Sequence, residues 1–536
     1  MKEKIRKFGP YVLLGFCFFM LVFLNAFYLE HWLDSDMAAE MIFSRLLAED
    51  GHIFATPDWY YSTEFRFLYT HLFMGPLFCI LDNWHVIRML TNIIFYILLL
   101  TSYFYFMRPF KIARHRVVLT AAILLLPFSE TMMLHMQLGN TYMSHVIILF
   151  FFFGMYLRLC KKGELRKGRR WEITVLYSLL AVICGVSGVR YLLALQCPLF
   201  LTALLYLVKS EEFQSFRIQP SKGSLMAAVK SSGAGYLYYS ILGVAGCVIG
   251  YGINVLWVSR QYIFQTYDAT NFISVYQGVM LSRLQDAIGS LLMLFGYIPD
   301  KGVISLRGII TMIAFVLIAA GVYCTVKVYR RSTGNRFFVT LFLIVTFLLN
   351  SFVFVFTTST LVPRYYITVM VFLLPVFALF LEEEKLVFDK WAVGLLIAFC
   401  FLASTGKTVL SFMTTDKNAD KHAVTDFLVA EGYDFGFATY WNGNIITELS
   451  NGAVEIANIG DAEYLDYFKW SSPKRYYEEG YREGEVFLLL TAEEASCFAE
   501  TQAVQNGKKI YEDGNYVVLL YDNTDSLRSY AASREE

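Results

Sequence analysis

Long apolar segments alternate with short polar ones along most of this 536-residue chain. A stretch of this kind spans about 30 Å of hydrocarbon when it forms one helix of about 20 residues. Eleven segments are long enough, and they are 9–30, 86–107, 117–134, 142–159, 173–188, 191–208, 235–258, 304–327, 337–357, 365–381 and 391–411. The pattern therefore predicts a polytopic α-helical membrane protein with about 11 transmembrane helices.

A twelfth apolar segment, 65–81, is short, carries Arg66 and His71, and is interrupted by Gly75-Pro76. Cytoplasmic loops of membrane proteins are enriched in Lys and Arg. If this segment does not cross, the basic stretches all lie inside, and these are Lys2–Lys7, Arg108–Arg116, Lys161–Arg170, Lys209–Lys230 and Arg330–Arg336. We therefore expect the segment to lie in the interface or to re-enter, and the N-terminus to be a cytoplasmic, uncleaved anchor.

Composition and charge add a second domain to this picture. Apolar residues make up 57% of the chain and charged residues only 17%, which excludes an ordinary soluble protein. The net charge is zero, yet residues 416–536 hold 23 acidic and 10 basic residues, and the preceding 415 hold 22 and 35. We therefore predict a transmembrane domain at 1–411 and an acidic domain outside the membrane at 412–536.

The tail has the local patterns of a small α+β domain. Helical periodicity covers 422–432, and strand-like runs cover 435–440, 485–490 and 516–521. Asn442-Gly443 and Asp513-Gly514 are turn signals. The aromatic residues at 440–441 are compatible with glycan stacking, but a strand that ends in a turn is the favoured interpretation.

Two predicted outer loops carry unusual side chains. The loop 31–85 begins with an acidic stretch, 31–66, which has seven acidic residues against Arg45 and Arg66, and apolar positions within 37–48 predict a helix lying on the bilayer. The loop 259–303 mixes aromatic residues with an amphipathic stretch and is also expected at the interface.

Cysteine spacing and phosphate-loop motifs exclude several classes of site. Nine Cys are scattered, eight of them in or beside apolar segments, without a C-x-x-C pair or a His/Cys cluster. Neither a disulfide framework nor a structural zinc site is predicted. No G-x-x-x-x-G-K-[ST] loop occurs, and we expect no nucleic-acid partner.

Three features of the predicted outer face are candidates for chemistry: Asp34 with Asp36, Arg190, and Arg364. Alone, the acids are typical of a solvated loop and the arginines of side chains that reach lipid headgroups. Together they supply a carboxylate that can take a proton from a hydroxyl and guanidinium groups that can stabilise a leaving phosphate. Residues two apart on a helix point in different directions, so one of the two Asp should carry most of the effect.

These motifs, in this order, resemble those of the GT-C superfamily of membrane glycosyltransferases, especially the branch of protein O-mannosyltransferases and the aminoarabinose transferase of lipid A. The acidic element after the first span is matched by Asp36-Met37-Ala38-Ala39-Glu40 through Gly51. The other matching elements are His71 with Gly75-Pro76-Leu77, Trp84–Leu90, Gly188-Val189-Arg190-Tyr191 with Pro198, and Pro363-Arg364-Tyr365-Tyr366 with Pro375.

The resemblance implies transfer of a sugar from a polyprenyl-phosphate donor to a glycan, lipid or protein acceptor outside a bacterial plasma membrane, with inversion. It assigns the role of catalytic base to Asp36, and Asp34 beside it stays the second catalytic candidate. It assigns donor phosphate and lipid binding to Arg190, Arg364, Tyr191 and Tyr365, and substrate contacts to His71, Glu130, His135 and Asn140. Met37 stands where the family usually has Glu, so no cofactor is assigned and a divalent metal is left open.

Two other functions stay open at this point. A transporter or flippase would place ionisable residues at midspan, whereas most central thirds here are uncharged. A polymerase or ligase of cell-envelope polysaccharide would use acids and arginines of a large late loop, and loop 259–303 offers Arg260, Arg283 and Asp286.

Overall fold

A computed structural model describes residues 2–139, 141–161, 165–265, 270–274, 278–299, 302 and 304–532, without the side chains of 2–6, 306, 307 and 310. Most of it is helical. The α-helices of eight or more residues are Lys2–Tyr28, Ser35–Glu49, His71–Phe78, Trp84–Met107, Arg114–Leu124, Met143–Cys160, Lys167–Val186, Cys197–Lys209, Glu211–Ile218, Lys222–Lys230, Ser232–Ile253, Met280–Leu294, Leu306–Arg331, Gly334–Phe356, Ile367–Glu383, Val387–Thr414, Ala419–Glu431 and Tyr440–Leu449.

Shorter helical turns connect these elements. The short α-helices are Glu130–Met132, Ser259–Gln261, Ala492–Cys497, Gln502–Asn506 and Thr524–Arg528. The 3-10 turns are Glu30–Trp32, Arg108–Phe110, Pro363–Tyr366 and Lys474–Tyr477, and the π-helical turns are Met133–Leu138, Leu192–Gln196 and Asn254–Val258.

Nine helical stretches of the described residues are long and apolar enough to cross a membrane, so the chain is a multi-pass membrane protein. They are Lys7–Tyr28, Trp84–Phe110, Met143–Cys160, Leu192–Lys209, Ser232–Gln261, Thr311–Arg331, Gly334–Phe356, Pro363–Glu383 and a stretch within Val387–Glu431. These correspond to nine of the eleven predicted spans. The predicted class of a polytopic helical membrane protein is confirmed, and the count of eleven stays a prediction.

The prediction of one continuous span at 117–134 is wrong. The helix Arg114–Leu124 ends there, and a new helical turn begins at Glu130 with the Ser129 hydroxyl accepting a hydrogen bond from the Met132 N–H. Pro127 lies in the break, where its ring and its missing N–H oppose a continued helix. By contrast, 173–188 lies mostly in one helix, Lys167–Val186.

The chain forms two compact units. The first consists of residues 1–23, 93–256 and 268–411, and the second of 24–92, 257–267 and 412–536. In the first unit the helices Lys167–Val186 and Ser232–Ile253 pack closely. A Cβ added at Gly250 would lie 2.0 Å from the carbonyl oxygen of Val182, so glycine allows this close approach.

The second unit is built around the helix Ser35–Glu49, called the acidic helix below. It packs against His71–Phe78 and against Tyr440–Leu449, called the tail helix. The apolar side chains that were expected to face the bilayer are buried in the protein, and they include Met37, Met41, Leu46 and Leu47. The tail helix and the helix His71–Phe78 therefore cover the apolar side chains that were expected to face lipid, and the interfacial position of the acidic helix stays a prediction.

All the strands of the described residues lie in the second unit. Five form a mixed sheet in the order Glu455–Ile459, Phe435–Thr439, Val486–Thr491, Tyr516–Tyr521, Lys508–Glu512, in which the first three are parallel and the last two pair antiparallel. A smaller sheet joins Ile263–Phe264, Trp59–Tyr61 and Ser472–Pro473. The tail contains both strands and helices, among them Ala419–Glu431, as the α+β pattern predicted, and its limits as a domain outside the membrane stay a prediction.

The predicted turn at Asn442-Gly443 is wrong, because these residues lie inside the tail helix. The strand Phe435–Thr439 pairs in parallel with Glu455–Ile459, and parallel neighbours require a crossover rather than a tight turn. Gly443 serves close packing instead, since a Cβ there would lie 2.8 Å from Cγ2 of Ile456.

Candidate active site

The acidic helix begins with a side-chain cap. Asp34 has an extended backbone, and its Oδ1 accepts a hydrogen bond of 2.8 Å from the Met37 N–H. Such a cap satisfies one of the free N–H groups of the first turn and favours negative charge there. Asp34 is therefore engaged in holding the helix start, and Asp36 follows in the first turn, partly exposed.

One oxygen of Asp36 is held by the tail helix. The Tyr440 hydroxyl donates a hydrogen bond of 2.8 Å to Asp36 Oδ1. Burial, with the neighbouring Asp36 carboxylate, holds the pKa of Tyr440 above its usual range, so the phenol keeps its proton and acts as a donor. No hydrogen bond from the described part of the chain to the other oxygen, Oδ2, is recorded.

A second carboxylate lies one turn further along the acidic helix. Glu40 is buried, forms an ion pair through Oε1 with Arg66 Nη1, and accepts a hydrogen bond of 3.0 Å through Oε2 from Thr70. Burial raises the pKa of Glu40 to about 7, against the opposing charge of Arg66. Although burial opposes it, the neighbouring Tyr69 and carboxylates, among them Glu40 and Asp36, hold the pKa of Arg66 above its usual range. Arg66 is thus a permanent cation that interacts with both carboxylates.

A buried ion pair fixes the tail helix to the acidic helix. Arg88 Nε and Nη2 donate to the two carboxylate oxygens of Glu448 at 2.6 and 2.7 Å, and Nη2 also donates to the Met37 carbonyl at 2.8 Å. Both side chains are almost fully buried. A bidentate contact fixes orientation as well as distance, so this pair sets where the tail helix presents Tyr440.

His71 lies inside the second unit. Its side chain is buried against the ring of Phe43, with ring centroids 5.5 Å apart. Burial, with the nearby charge of Arg66, lowers the pKa of His71 to about 3, so the ring is neutral. Its predicted role as a substrate contact stays a prediction.

In the first unit, Arg190 lies in a cluster of rings. Its Nη1 is 3.4 Å from Nε2 of His145, and its guanidinium lies 5.2 Å from the ring centroid of Tyr142. A guanidinium is only a donor, so a hydrogen bond here requires the histidine nitrogen to accept. Tyr191 stacks on His145 at 5.2 Å, and His135 lies 6.0 Å from Tyr142. The structure thus brings Arg190, Tyr191 and His135 into one cluster. The sequence analysis had named them for two different roles, donor binding and substrate contact.

Arg364 begins a late span of the same unit. It lies in the 3-10 turn Pro363–Tyr366, is partly exposed, and makes no recorded side-chain hydrogen bond or ion pair with the described residues. Tyr365 stacks on Phe354 with ring centroids 4.9 Å apart. The turn packs against the helix Glu130–Met132, where Glu130 is exposed. Asn140 lies outside the described residues.

Sequence reasoning missed the residues that surround Asp36. It assigned no chemical role to Glu40 or Arg66, and it considered the aromatic residue at 440 for glycan stacking but not as a hydrogen-bond donor to Asp36. It also missed His145 beside Arg190. The one local signal was the spacing of Asp36 and Glu40, four residues apart, which puts both on one face of a helix. Among the described residues, no group of three or more His, Cys, Asp or Glu is arranged to hold a metal ion.

Comparison with known proteins identifies the fold. No family model and no curated protein matches the chain. The helical membrane unit with a small sheet-containing unit has a GT-C-like fold. In particular, the chain is similar to ArnT from Cupriavidus metallidurans bound to undecaprenyl phosphate, with a TM-score of 0.55, 12% identity, and coverage of 98% of this chain and 100% of that one. It matches the apo state of the same protein with a TM-score of 0.55, 10% identity, and coverage of 98% and 99%. At this identity the likeness shows the fold alone.

Proposed function

We propose that this protein is a membrane glycosyltransferase that moves a sugar from a polyprenyl-phosphate donor to a hydroxyl outside the membrane. The observation that carries the proposal is the carboxylate of Asp36, placed at the start of the acidic helix with one oxygen held by Tyr440. The fold likeness to ArnT, which was solved with undecaprenyl phosphate, supports a donor of that class.

Asp36 is the general base in this proposal. Its Oδ1 accepts from Tyr440, so Oδ2 is the oxygen that takes the proton of the acceptor hydroxyl. As that proton leaves, the acceptor oxygen bonds to the anomeric carbon and the bond from that carbon to the phosphate oxygen breaks. The electron pair goes to the polyprenyl phosphate, and a single displacement inverts the anomeric carbon. Asp34 caps the helix and so holds Asp36 in place.

Arg190 and Arg364 bind the donor phosphate in this proposal. A phosphate leaves without protonation when guanidinium groups stabilise its growing charge. Arg190 lies beside the rings of His145 and Tyr142, and Arg364 is partly exposed with no recorded side-chain ion pair or hydrogen bond to the described residues. Tyr191 and Tyr365 flank the two arginines, and Glu130, His135, His71 and Asn140 are proposed as further substrate contacts. No residue is assigned to a metal.

The domain roles and the orientation are part of the same proposal. Residues 1–411 would form the catalytic transmembrane domain with loops 31–85 and 259–303 outside, and 412–536 would be an outer domain. The N-terminus would be cytoplasmic, in keeping with the positive-inside distribution of Lys and Arg.

The experiment is a transfer assay with the purified full-length protein, a polyprenyl-phosphate sugar and an envelope extract as acceptor. Asp36→Asn should lower kcat by about 10²–10⁴-fold, the usual contribution of a general base. The control is Asp58→Asn, which removes an exposed carboxylate of the same acidic stretch. Transfer by Asp36→Asn at the wild-type rate would refute the proposal.

If the protein were a polymerase or ligase that uses loop 259–303, substitutions in that loop would impair activity. Arg283 in that loop donates to the carbonyls of Phe354 and Ser359 at 2.9 and 2.6 Å, a structural role. Arg260 is exposed. Arg260→Gln should leave transfer unchanged if Asp36 is the base. Arg190→Gln and Arg364→Gln should each raise the KM for the donor and lower kcat, because these side chains bind the phosphate and stabilise its growing charge.

A further inference from the structure

The exposed apolar residues of the tail are few and two of them lie together. In residues 415–532 the large apolar side chains with high exposure are Val429, Trp441 and Phe468, at 47%, 65% and 39%. Soluble surfaces usually scatter such residues singly, and a group marks a binding site. Trp441 and Phe468 both contact one ring, that of Tyr440.

The two exposed rings are linked through the buried ring of Tyr440. The ring centroid of Tyr440 lies 5.2 Å from that of Trp441 and 5.8 Å from that of Phe468. Phe468 in turn stacks on Trp470 at 6.2 Å, with an interplanar angle of 24°. We call Trp441, Phe468 and Trp470 the aromatic platform. The same Tyr440 that supports the platform donates its hydroxyl to Asp36.

We propose that the aromatic platform is the subsite that binds the carbohydrate of the acceptor. The inference rests on the proposed function and deepens it, because it names the acceptor as a glycan rather than a peptide or a bare lipid. A sugar ring presents C–H groups on its faces and hydroxyls at its edge. The C–H groups pack on exposed aromatic faces, whose π-systems carry partial negative charge. A hydroxyl at the edge then reaches the Asp36 carboxylate next to Tyr440.

A membrane surface fits this platform less well. Exposed Trp and Phe also occur at lipid interfaces, but there they accompany Lys and Arg that attract anionic headgroups. Here residues 416–536 have 23 acidic and 10 basic residues, which an anionic leaflet repels. In sequence, the platform residues have one neighbouring cation, Lys469, and polar Asn442 and Ser471 follow Trp441 and Trp470. Polar groups around stacked rings favour a ligand rich in hydroxyls.

The test is direct binding, measured without turnover. Saturation-transfer NMR of the full-length protein in nanodiscs would use cellohexaose as probe, because its all-equatorial rings present C–H groups on both faces, and sorbitol as the acyclic control. We expect transfer to the ring protons of cellohexaose and none to sorbitol. Trp441→Ala and Phe468→Ala should each weaken binding by about tenfold or more, about 1.4 kcal/mol.

The matched control is Val429→Ala, which removes another exposed apolar side chain of the same tail and should bind like the wild type. Absence of binding by the wild type, or equal binding by Trp441→Ala, would overturn the proposal. Lipid contact is tested with brominated phosphatidylcholine in the nanodisc. The tryptophan fluorescence of the wild type and of Trp441→Phe is compared in these nanodiscs. If the brominated lipids quench the wild type and the quenching disappears in Trp441→Phe, Trp441 faces lipid and the proposal fails.

These readouts separate the inference from the proposed function. The NMR experiment needs no donor and no active base, so Asp36→Asn should still bind cellohexaose. If Asp36→Asn loses transfer but wild type shows no binding of the probe, only the platform proposal fails. If the probe binds and Asp36→Asn transfers normally, the proposed role of Asp36 fails instead.

Discussion

The hydroxyl of Tyr440 should contribute a measurable part of the rate. Tyr440→Phe keeps the ring that packs on Trp441 and Phe468 and removes only the donor that lies 2.8 Å from Asp36 Oδ1. A hydrogen bond to a charged group contributes about 1.5–3 kcal/mol. Only the part of this energy that is gained in the transition state affects kcat, so the value is an upper limit. Because each 1.36 kcal/mol is a factor of about ten in rate, kcat should fall by up to roughly ten- to hundredfold.

The mechanism also fixes which kinetic constant changes. Tyr440 positions the base and does not touch the donor in the proposed scheme, so the KM for the polyprenyl-phosphate sugar should stay near the wild-type value. The assay is steady-state transfer with the donor varied, together with the melting temperature of each variant in the same detergent. A purely structural tyrosine would lower the melting temperature and leave the kcat of the folded fraction unchanged.

Tyr516→Phe is the matched control. Its hydroxyl donates 3.0 Å to Asn442 Oδ1, so it also bonds the tail helix, but it does not contact Asp36. We expect Tyr516→Phe to have a slightly lower melting temperature and the kcat of the wild type. Equal kcat for Tyr440→Phe and wild type, or equal losses in the two variants, would refute the view that Tyr440 orients the base.

Three further predictions concern stability, and each is read as a melting temperature in detergent. Glu448→Ala should destabilise by about 3–5 kcal/mol, because Arg88 is left buried and unpaired, whereas Arg88→Met with Glu448→Leu should recover most of the loss. Burial raises the pKa of Glu40 to about 7. The folded state then binds this proton more tightly than the unfolded state. The proton therefore adds up to about 3 kcal/mol to the free energy of unfolding below about pH 4.3, and this contribution is lost as the pH rises through 7. In Glu40→Gln the melting temperature should depend less on pH over this range. Gly250→Ala should cost about 1–3 kcal/mol by overpacking, while Gly252→Ala, which meets nothing within 4 Å, should be neutral.

Local sequence was enough for the elements whose signals are local. Nine of the predicted spans coincide with helices that can cross a membrane, because hydropathy is a property of each segment. The segment 117–134 failed at Pro127, whose effect a window average hides. The tail strands at 435–439, 486–491 and 516–521 were found by composition.

The tail helix could not be predicted in this way. Asn442-Gly443 is a strong local turn signal, and the competing reason for a helix is the parallel pairing of Phe435–Thr439 with Glu455–Ile459. That pairing depends on which strands become neighbours, and no single window contains it. The strand Glu455–Ile459 itself was missed for the same reason.

The residues that contact Asp36 could not be predicted either, because they are distant in sequence. Asp36 was found because it follows the first span within a recognisable acidic motif. Its partner Tyr440 is 404 residues away, and the partner of Arg88 is 360 residues away. Their pairing is a product of tertiary packing, and a single sequence carries no record of it.

The buried charge of Arg88 explains why the tail belongs to the proposed chemistry. A guanidinium that is almost fully buried is unstable without a carboxylate, and Glu448 of the tail helix supplies it. The same guanidinium binds the carbonyl of Met37, next to Asp36, while Tyr440 at the other end of the tail helix binds Asp36 itself. Loss of the tail would therefore remove the donor to the base and leave an unpaired charge beneath it. If Asp36 is the base, the tail is therefore required for catalysis.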